Sequence, residues 1–190
     1  MYTTTTTTTC QYQLCTCPTR YVASASERRP ALPSYWIVVG SEENMRIAEA
    51  RGFDIFGFKS TRRGEVAQMR PGDKLIFYLT KIMKFGGLAS VTSEYFEDHT
   101  KLFKSGKKPV LSEAEGPQED YPFRVSVKPE IILAPDQYLD VKEIAPRMQY
   151  PRKWPPEHWR LAFQGNLHRI PQEDYALIVS EMKAAAGIKA

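Results

Sequence analysis

The clearest pattern in the chain is the alternation of apolar and polar positions in "YPFRVSVKPEIIL", residues 121–133. Phe123, Val125 and Val127 fall on one face, and charged or hydroxyl side chains stand between them. A period of two residues is that of a β-strand, because successive side chains point to opposite faces of a sheet. The segment therefore predicts an antiparallel strand with one buried face and one solvated face.

Three shorter runs of bulky apolar residues predict further strands. They are "YWIVV" at 35–39, "KLIFYL" at 74–79 and "FGGLASVTSEYF" at 85–96. Runs rich in β-branched and aromatic residues, bounded by turn residues such as those of "RPGD", are typical of strands. For "FDIFGFKSTRRGEVAQM", residues 53–69, we expect a loop with a short helix near its end.

Two segments carry helical signals. In "GSEENMRIAEARG", residues 40–52, Ser41 is a candidate N-cap, two glutamates follow it, and Gly52 is a candidate C-terminal stop. In "IPQEDYALIVSEMKAA", residues 170–185, Pro171 suits the first turn and apolar residues recur at helical spacing. We expect one helix after the first strand and another that closes the chain.

These elements amount to about five or six antiparallel strands with three or four short helices. Strands and helices do not alternate regularly, which argues against a parallel, doubly wound sheet. The predicted fold class is α+β, a small curved antiparallel β-barrel flanked by short helices, over residues 34–187. The threonine run and the Pro-broken polar stretch predict a disordered, low-complexity tail at 1–33. A polar, Gly- and Pro-punctuated stretch predicts a mobile insertion near 105–120.

Composition and charge narrow the possible functions. The chain is 42% apolar with a formal net charge of +4, which suits a globular protein and permits an anionic partner. Cys10, Cys15 and Cys17 are its only cysteines, a distribution that favours a reducing, cytoplasmic location and offers no zinc-ligand spacing. The sequence lacks an apolar run long enough to cross a membrane, so we expect no membrane partner.

The motifs of common catalytic sites do not occur in the sequence. It contains no GxxxxGK[ST], GxGxxG or HExxH motif, and none of its three histidines stands in a nucleophile motif. We therefore expect that the protein is not an enzyme and that it uses no cofactor and no metal ion.

Basic and aromatic residues are interleaved in one part of the chain. Residues 59–84 contain seven lysines and arginines against two acidic residues, and Phe56, Phe58, Phe77 and Tyr78 lie among or beside them. Phosphates attract cations and unpaired bases stack on flat rings, so this combination favours nucleic acid over other anionic ligands. A charged run is also typical of an ordinary solvated face, and that alternative stays open.

A resemblance to a known family rests on several segments in a fixed order. They are "YWIVV", "FGFKSTRRGEVAQMRPGDKLIFYL", "GGLASVTSEYF", "YPFRVSVKP" and "WRLAFQGNLHRIPQEDYALI", which together span roughly residues 34–182. Each segment alone is moderately specific, whereas their order and spacing are strongly specific. The chain resembles the EVE domain family of the PUA-like superfamily, a relative of the YTH domains, and is most similar to its stand-alone prokaryotic members.

The resemblance implies a PUA-like barrel and a non-catalytic domain that reads a modified base, for example a methylated one, in DNA or RNA. The base would lie in an aromatic-lined pocket with a basic rim. The pocket residues that we expect are Trp36, Phe56, Phe58, Lys59, Ser60, Tyr78 and Thr80. The cations that we expect to contact phosphates are Arg62, Arg63, Arg70, Lys74 and Lys84.

Two other functions stay open at this point. In the first, the protein is a small-ligand or protein-interaction module whose pocket holds a free nucleoside or metabolite. In the second, it is an enzyme that processes RNA or nucleotides and uses Lys59 or His158. Binding that ignores salt would indicate a small-ligand module, because phosphate contacts release counterions. The sequence does not separate DNA from RNA, since contacts to the 2′-hydroxyl use ordinary polar residues.

Overall fold

The computed structural model of the chain describes residues 32–100, Leu102 and residues 121–188. The expected tail at 1–33 lies outside these residues except for its last two, and the expected insertion at 105–120 lies wholly outside them. Both stay predictions. In the described part of the chain, no helix is both long and apolar enough to span a bilayer.

Eight strands and four α-helices make up the described fold. The strands are β1 (Tyr35–Gly40), β2 (Ile55–Phe58), β3 (Lys74–Leu79), β4 (Lys84–Val91), β5 (Phe96–Glu97), β6 (Phe123–Ile132), β7 (Leu139–Asp140) and β8 (Leu167–Ile170). The helices are α1 (Glu42–Ala50), α2 (Arg63–Val66), α3 (Val141–Ile144) and α4 (Gln172–Ala185). Turns of 3₁₀-helix cover Ser60–Arg62, Ala145–Arg147, Tyr150–Lys153 and Pro156–Phe163.

The strands form one mixed sheet that curls into a half-barrel. Its order is β2-β6-β4-β3-β1-β8, with β5 beside β6 and β7 beside β4. The expected α+β, PUA-like architecture is confirmed. Two details differ from the expectation of five or six antiparallel strands. The described residues contain eight strands, and β1 runs parallel to β3. Parallel neighbours need a long crossover, and α1, β2 and α2 supply it between these two strands.

The expectation of a loop from 53 to 69 is wrong for the segment that forms β2. This strand pairs antiparallel with β6, with Phe56 opposite Val125. At Gly57 a β-carbon would lie 2.7 Å from a side-chain methyl of Leu102 and 3.1 Å from the Tyr121 carbonyl, so any other residue here would force its neighbours to move. A short strand interrupted by glycine gives too little pattern for sequence analysis to detect it.

Both expected helices are confirmed. Ser41 caps α1, because its side chain accepts a hydrogen bond from the backbone N–H of Asn44 at 3.1 Å. Pro171 directly precedes α4, and acidic Glu173 and Asp174 occupy its first turn, where the positive end of the helix dipole favours them. Both helices therefore begin where their capping residues indicated.

The sheet separates two hydrophobic cores, because alternate residues of each strand point to opposite faces. Trp36 and Val38 of β1 face the first core, which α1 covers with Met45 and Ala48. The second core lies on the other face. Its buried members include Ile37, Ile76, Tyr78, Phe85, Phe163, Ile178 and Met182, so α4 and the last 3₁₀ segment cover that side.

Candidate functional site

A cleft opens where β1 and β3 end and α1 begins. It encloses about 210 Å³ of space, part of which is open to solvent. Its apolar lining is formed by Val38, Met45, Phe56, Phe77 and Leu79. Its polar lining is formed by Ser41 and Asn44, together with Gly40 at the last position of β1.

The polar wall of the cleft comes from the first turn of α1. Ser41 Oγ already accepts from the Asn44 backbone, which leaves the hydroxyl proton free to be donated. Among the described residues the half-buried Asn44 side chain makes no hydrogen bond, so its amide offers both a donor and an acceptor. The cleft thus has an apolar floor, and the hydroxyl of Ser41 and the amide of Asn44 lie at its edge.

Aromatic rings form the floor, and they are largely covered. The ring centroids of Phe56 and Phe77 are 5.2 Å apart, and Phe56 and Phe58 are 5.6 Å apart. Phe56 is only 6% exposed. These rings stabilise the first core and present little free surface to the cleft.

The structure does not bring all seven expected pocket residues together. Phe56 and Tyr78 line the cleft, although the Tyr78 ring lies on the opposite face of the sheet, 5.0 Å from the Phe163 ring. Burial raises the pKa of Tyr78, against an opposing effect of Arg160. Thr80 adjoins the cleft, since its backbone N–H donates to the Gly40 carbonyl at 3.0 Å.

Five of the seven expected pocket residues are not part of the cleft lining, and four of these, all except Thr80, do not adjoin it. Trp36 lies near the other end of β1, where its indole donates to Asp73 at 3.2 Å and the Arg169 guanidinium stands 5.8 Å from its ring centroid. Phe58 is buried in the first core, and Lys59 and Ser60 lead into the 3₁₀ turn after β2. Sequence analysis grouped aromatic residues by their order in the chain, whereas strand alternation and strand length separate them in space.

The expected phosphate-binding cations are spread along β3 and its neighbours. Lys84 lies opposite Leu79, beside the cleft. Lys74 begins β3 and Arg70 lies in the turn before it, so both are at the far end of a strand whose six residues span roughly 20 Å. Burial pushes the pKa of Glu130 upward, but hydrogen bonds from Lys74 and Ser90 outweigh it and hold that pKa below its usual value.

Arg62 and Arg63 take part in ion pairs next to α2. Arg62 Nη1 donates to Glu65 at 2.8 Å, and this bond holds the pKa of Glu65 below its usual value. Arg63 lies 3.5 Å from Glu97 and stands over the Phe123 ring. Both guanidinium groups are therefore oriented by protein contacts.

Sequence analysis missed the residues that form the polar wall. From the sequence, Ser41 is predicted only as the N-cap of a helix, and neither Asn44 nor Gly40 is given a role. The available signal was a buried strand that runs directly into a helix N-terminus, a junction where backbone and side-chain donors collect.

Comparisons with known proteins identify relatives of the chain. The model of the EVE domain family matches residues 34–181. The UPF0310 protein of Pyrococcus abyssi is 28% identical over 156 residues, which cover 77% of this chain and 98% of that protein. A UPF0310 protein of Pyrococcus horikoshii is 28% identical over 159 residues, 76% of this chain and 96% of that protein.

Solved structures share the fold at low sequence identity. The YTH domain of Zygosaccharomyces rouxii MRB1 has a TM-score of 0.55 and 12% identity, covering 82% of this chain and 90% of that one. A hypothetical protein from Leishmania major has a TM-score of 0.54 and 19% identity, covering 81% of this chain and 97% of that one. Likeness at this level establishes the fold of the chain.

Proposed function

This chain belongs to the EVE domain family, and from that membership we propose that it is a nucleic-acid-binding module that holds one modified base in the cleft. The observation that carries the proposal is the composition of the cleft. An apolar floor lies beside an amide and a hydroxyl at the start of α1. A nucleobase has the matching form, with apolar faces and an edge of donors and acceptors.

A solved structure of the same fold supports a base as the occupant of the cleft. The MRB1 YTH domain, which shares the fold, was crystallised with RNA that contains N6-methyladenosine. A methylated base is accordingly the ligand class that we assign to this chain.

The free energies of base capture are compatible with such a cleft. Extruding a base from a duplex costs a few kcal/mol, and stacking on an aromatic side chain returns about 1–3 kcal/mol. Because Phe56 is mostly covered, stacking supplies the lower end of this range, and hydrogen bonds from Ser41 and Asn44 must add to it. Single-stranded or locally open nucleic acid is therefore the favoured substrate.

Recognition of a methyl group needs more than burial. One buried methyl contributes only about 0.8 kcal/mol, or roughly fourfold in affinity. Sharper discrimination requires that an unmodified base leave a void or an unpaired polar group in the cleft. The amide of Asn44 can distinguish the two bases in this way, since its donor and acceptor have no other partner among the described residues and would stay unpaired beside the wrong base.

Replacing Asn44 by Ala tests the proposal. We expect wild-type protein to prefer oligonucleotides with one N6-methyladenine or 5-methylcytosine over their plain counterparts. Asn44→Ala should lower affinity for base-bearing strands about five- to twentyfold, the value of one or two hydrogen bonds. Affinity for a strand with an abasic site serves as the internal control and should not change. Equal losses on both strands in fluorescence titrations would contradict the assignment.

A small-ligand module is the second candidate function. It is favoured by the ion pairs of Arg62, Arg63 and Lys74, which neutralise part of the expected basic rim. A free nucleoside would bind without phosphate contacts. Nucleoside affinity equal to that of the matching oligonucleotide, and independent of salt, would establish this alternative.

A further inference from the structure

Two buried side-chain nitrogens in the described part of the chain have no hydrogen-bond partner, and both of their side chains approach one glycine. They are Nε of Arg62 and Nε2 of His168. A polar atom that is buried and unpaired costs free energy, and such atoms are often satisfied by a ligand or water in the functional state. Their shared position at Gly165 distinguishes them from unrelated packing defects.

Gly165 lies close to both side chains. A β-carbon at this position would lie 3.3 Å from Arg62 Nη2 and 3.7 Å from His168 Nε2. The backbone of Gly165 has φ +111°, a conformation that side-chain-bearing residues rarely adopt. Any other residue here would be strained and would fill the space between the guanidinium and the imidazole.

Neighbouring groups fix the orientation of both side chains. Glu65 accepts from Arg62 Nη1 at 2.8 Å, and Nη2 and Nε take no part in this hydrogen bond. Tyr150 Oη lies 3.0 Å from His168 Nδ1. When the tyrosine hydroxyl donates to Nδ1, the proton of the neutral ring is on Nε2, which is then a donor beside Gly165. The arrangement presents several N–H donors around one point.

This cluster stands next to the cleft. The backbone N–H of Val39 donates to the Asn166 carbonyl at 2.9 Å, so Gly165 and Asn166 adjoin the end of β1. Gly40, the next residue of β1, lines the cleft. On the other side, β2 carries Phe56 in the cleft floor and leads directly into the 3₁₀ turn that contains Arg62.

We propose that Arg62, Gly165 and His168 bind one phosphate of the nucleotide whose base enters the cleft, an inference that rests on the proposed function. The Arg62 guanidinium supplies charge-assisted hydrogen bonds, and His168 Nε2 supplies a third donor. With 31% of its side chain exposed, Arg62 can be reached from solvent. The absent β-carbon of Gly165 lets a phosphate oxygen approach both groups.

The titration of His168 provides a direct readout. Burial lowers its pKa, the positive charge of Arg62 lowers it further, and the Gln164 carbonyl opposes both. The other polar groups that face it are Tyr150 and, behind Arg62, Glu65. A bound phosphate adds negative charge, so it should raise the His168 pKa, and affinity for a phosphodiester, whose own charge is constant in this range, should increase as pH falls.

The experiment titrates the ring resonances of His168 by NMR with inorganic phosphate and with an oligonucleotide that carries an abasic site. We expect both probes to shift these resonances and to raise the pKa, while chloride at equal ionic strength does not. Arg62→Gln should weaken the response about tenfold, as expected for one lost charge-assisted contact. Arg51→Gln is the matched control, because Arg51 also forms an (i, i+3) ion pair, with Asp54. Arg51→Gln should change the affinity for both phosphate probes by less than about twofold.

The two proposals fail in different ways. If phosphate and abasic strands leave His168 unaffected, or if Arg51→Gln and Arg62→Gln lose affinity equally, the phosphate site is overturned. Preference for a modified base would still stand in that case. If His168 responds but modified and plain strands bind equally, the base-reading function is overturned instead. Replacing His168 by Gln, which retains a terminal N–H donor, should preserve most of the binding, whereas His168→Phe should not.

Discussion

At the scale of single residues, one buried carboxylate fastens the first strand to the turn before β3. Asp73 is 4% exposed and accepts three hydrogen bonds. They come from the backbone N–H of Ser34 at 2.8 Å, the indole of Trp36 at 3.2 Å and the backbone N–H of Arg70 at 3.2 Å. Sequence analysis assigned "RPGD" to a turn, but nothing local could show that its aspartate receives an indole 37 residues away.

Replacing Asp73 by Ala should destabilise the protein by about 3 kcal/mol or more, because three donors lose a charged acceptor and the indole stays buried. Urea denaturation measures the change. Asp136→Ala is the control, since Asp136 is exposed, and it should alter stability by less than about 0.5 kcal/mol. A difference between the two variants below about 1 kcal/mol would show that the Asp73 contacts contribute little to stability.

His168 gives the free protein a pH dependence with a definite sign. Its pKa in the folded state is lowered from 6.5 by burial and by Arg62. Below pH 6.5 the unfolded chain binds this proton while the folded chain resists it, so stability is complete above that pH and declines as the pH falls toward the folded-state value. His168→Gln should remove this part of the decline. Melting temperatures of the wild type and His168→Gln from about pH 7.5 to 5 measure this loss of stability. An identical pH profile in the two proteins would show that His168 contributes nothing to it.

At the scale of elements, α1 lies close to the sheet because β4 contains two adjacent glycines. A β-carbon on Gly87 would lie 2.8 Å from the Ile131 carbonyl and 3.3 Å from Met45 Cε. A β-carbon on Gly86 would lie 3.4 Å from the same methyl. This close packing sets the width of the cleft, since Met45 is one of its walls.

Gly87→Ala should therefore destabilise the fold by about 1–3 kcal/mol, the usual cost of overpacking. The control is Gly64→Ala on α2, where a β-carbon meets nothing within 4 Å and should be neutral or stabilise by up to about 1 kcal/mol. Chemical denaturation of the two variants measures both changes in the free energy of unfolding. Equal stabilities would mean that α1 adjusts freely over β4.

Elements with strong local signals could be predicted from the sequence, and elements defined by distant pairing could not. The capped start of α1 at Ser41 and the strand at 121–133 were expected, because their signals lie within a few residues. β2 and the parallel β1–β3 pairing were not expected, because pairing partners lie far apart in the chain. The cleft follows from that pairing, which explains why Phe56 was placed in the site and Asn44 was not.

At the scale of the whole molecule, charge is distributed so that several cations are paired and others are available to a polyanion. The net charge is +4. Arg62, Arg63 and Lys74 each contact a carboxylate, whereas Lys84 lies beside the cleft next to Leu79. We expect about three phosphate contacts on single strands, fewer than the number of basic residues in 59–84 suggests.

Three such contacts predict a log–log slope of affinity against salt near −2, at about −0.7 for each phosphate. Fluorescence anisotropy at several salt concentrations between about 50 and 200 mM gives this slope, because affinity for phosphates changes strongly over that range of salt. Arg62→Gln should make the slope less steep by about 0.7, and Arg51→Gln should leave it unchanged. A slope near zero in the wild-type protein would favour the small-ligand module.

The central claim, that the cleft captures a modified base, can be tested most directly by filling it. Gly40 shares a sheet face with Val38, and a β-carbon on it meets nothing within 4 Å. The side chain of Gly40→Leu should extend into the cleft, and a melting temperature close to that of the wild type is the check that the variant folds. The measurement is the affinity of two strands for each protein, wild type and variant. The strands have the same sequence, and one of them carries a single methylated base. We expect the preference of the wild type to disappear in Gly40→Leu while the weaker affinity for the plain strand persists. A folded Gly40→Leu protein that keeps the full preference would contradict the account.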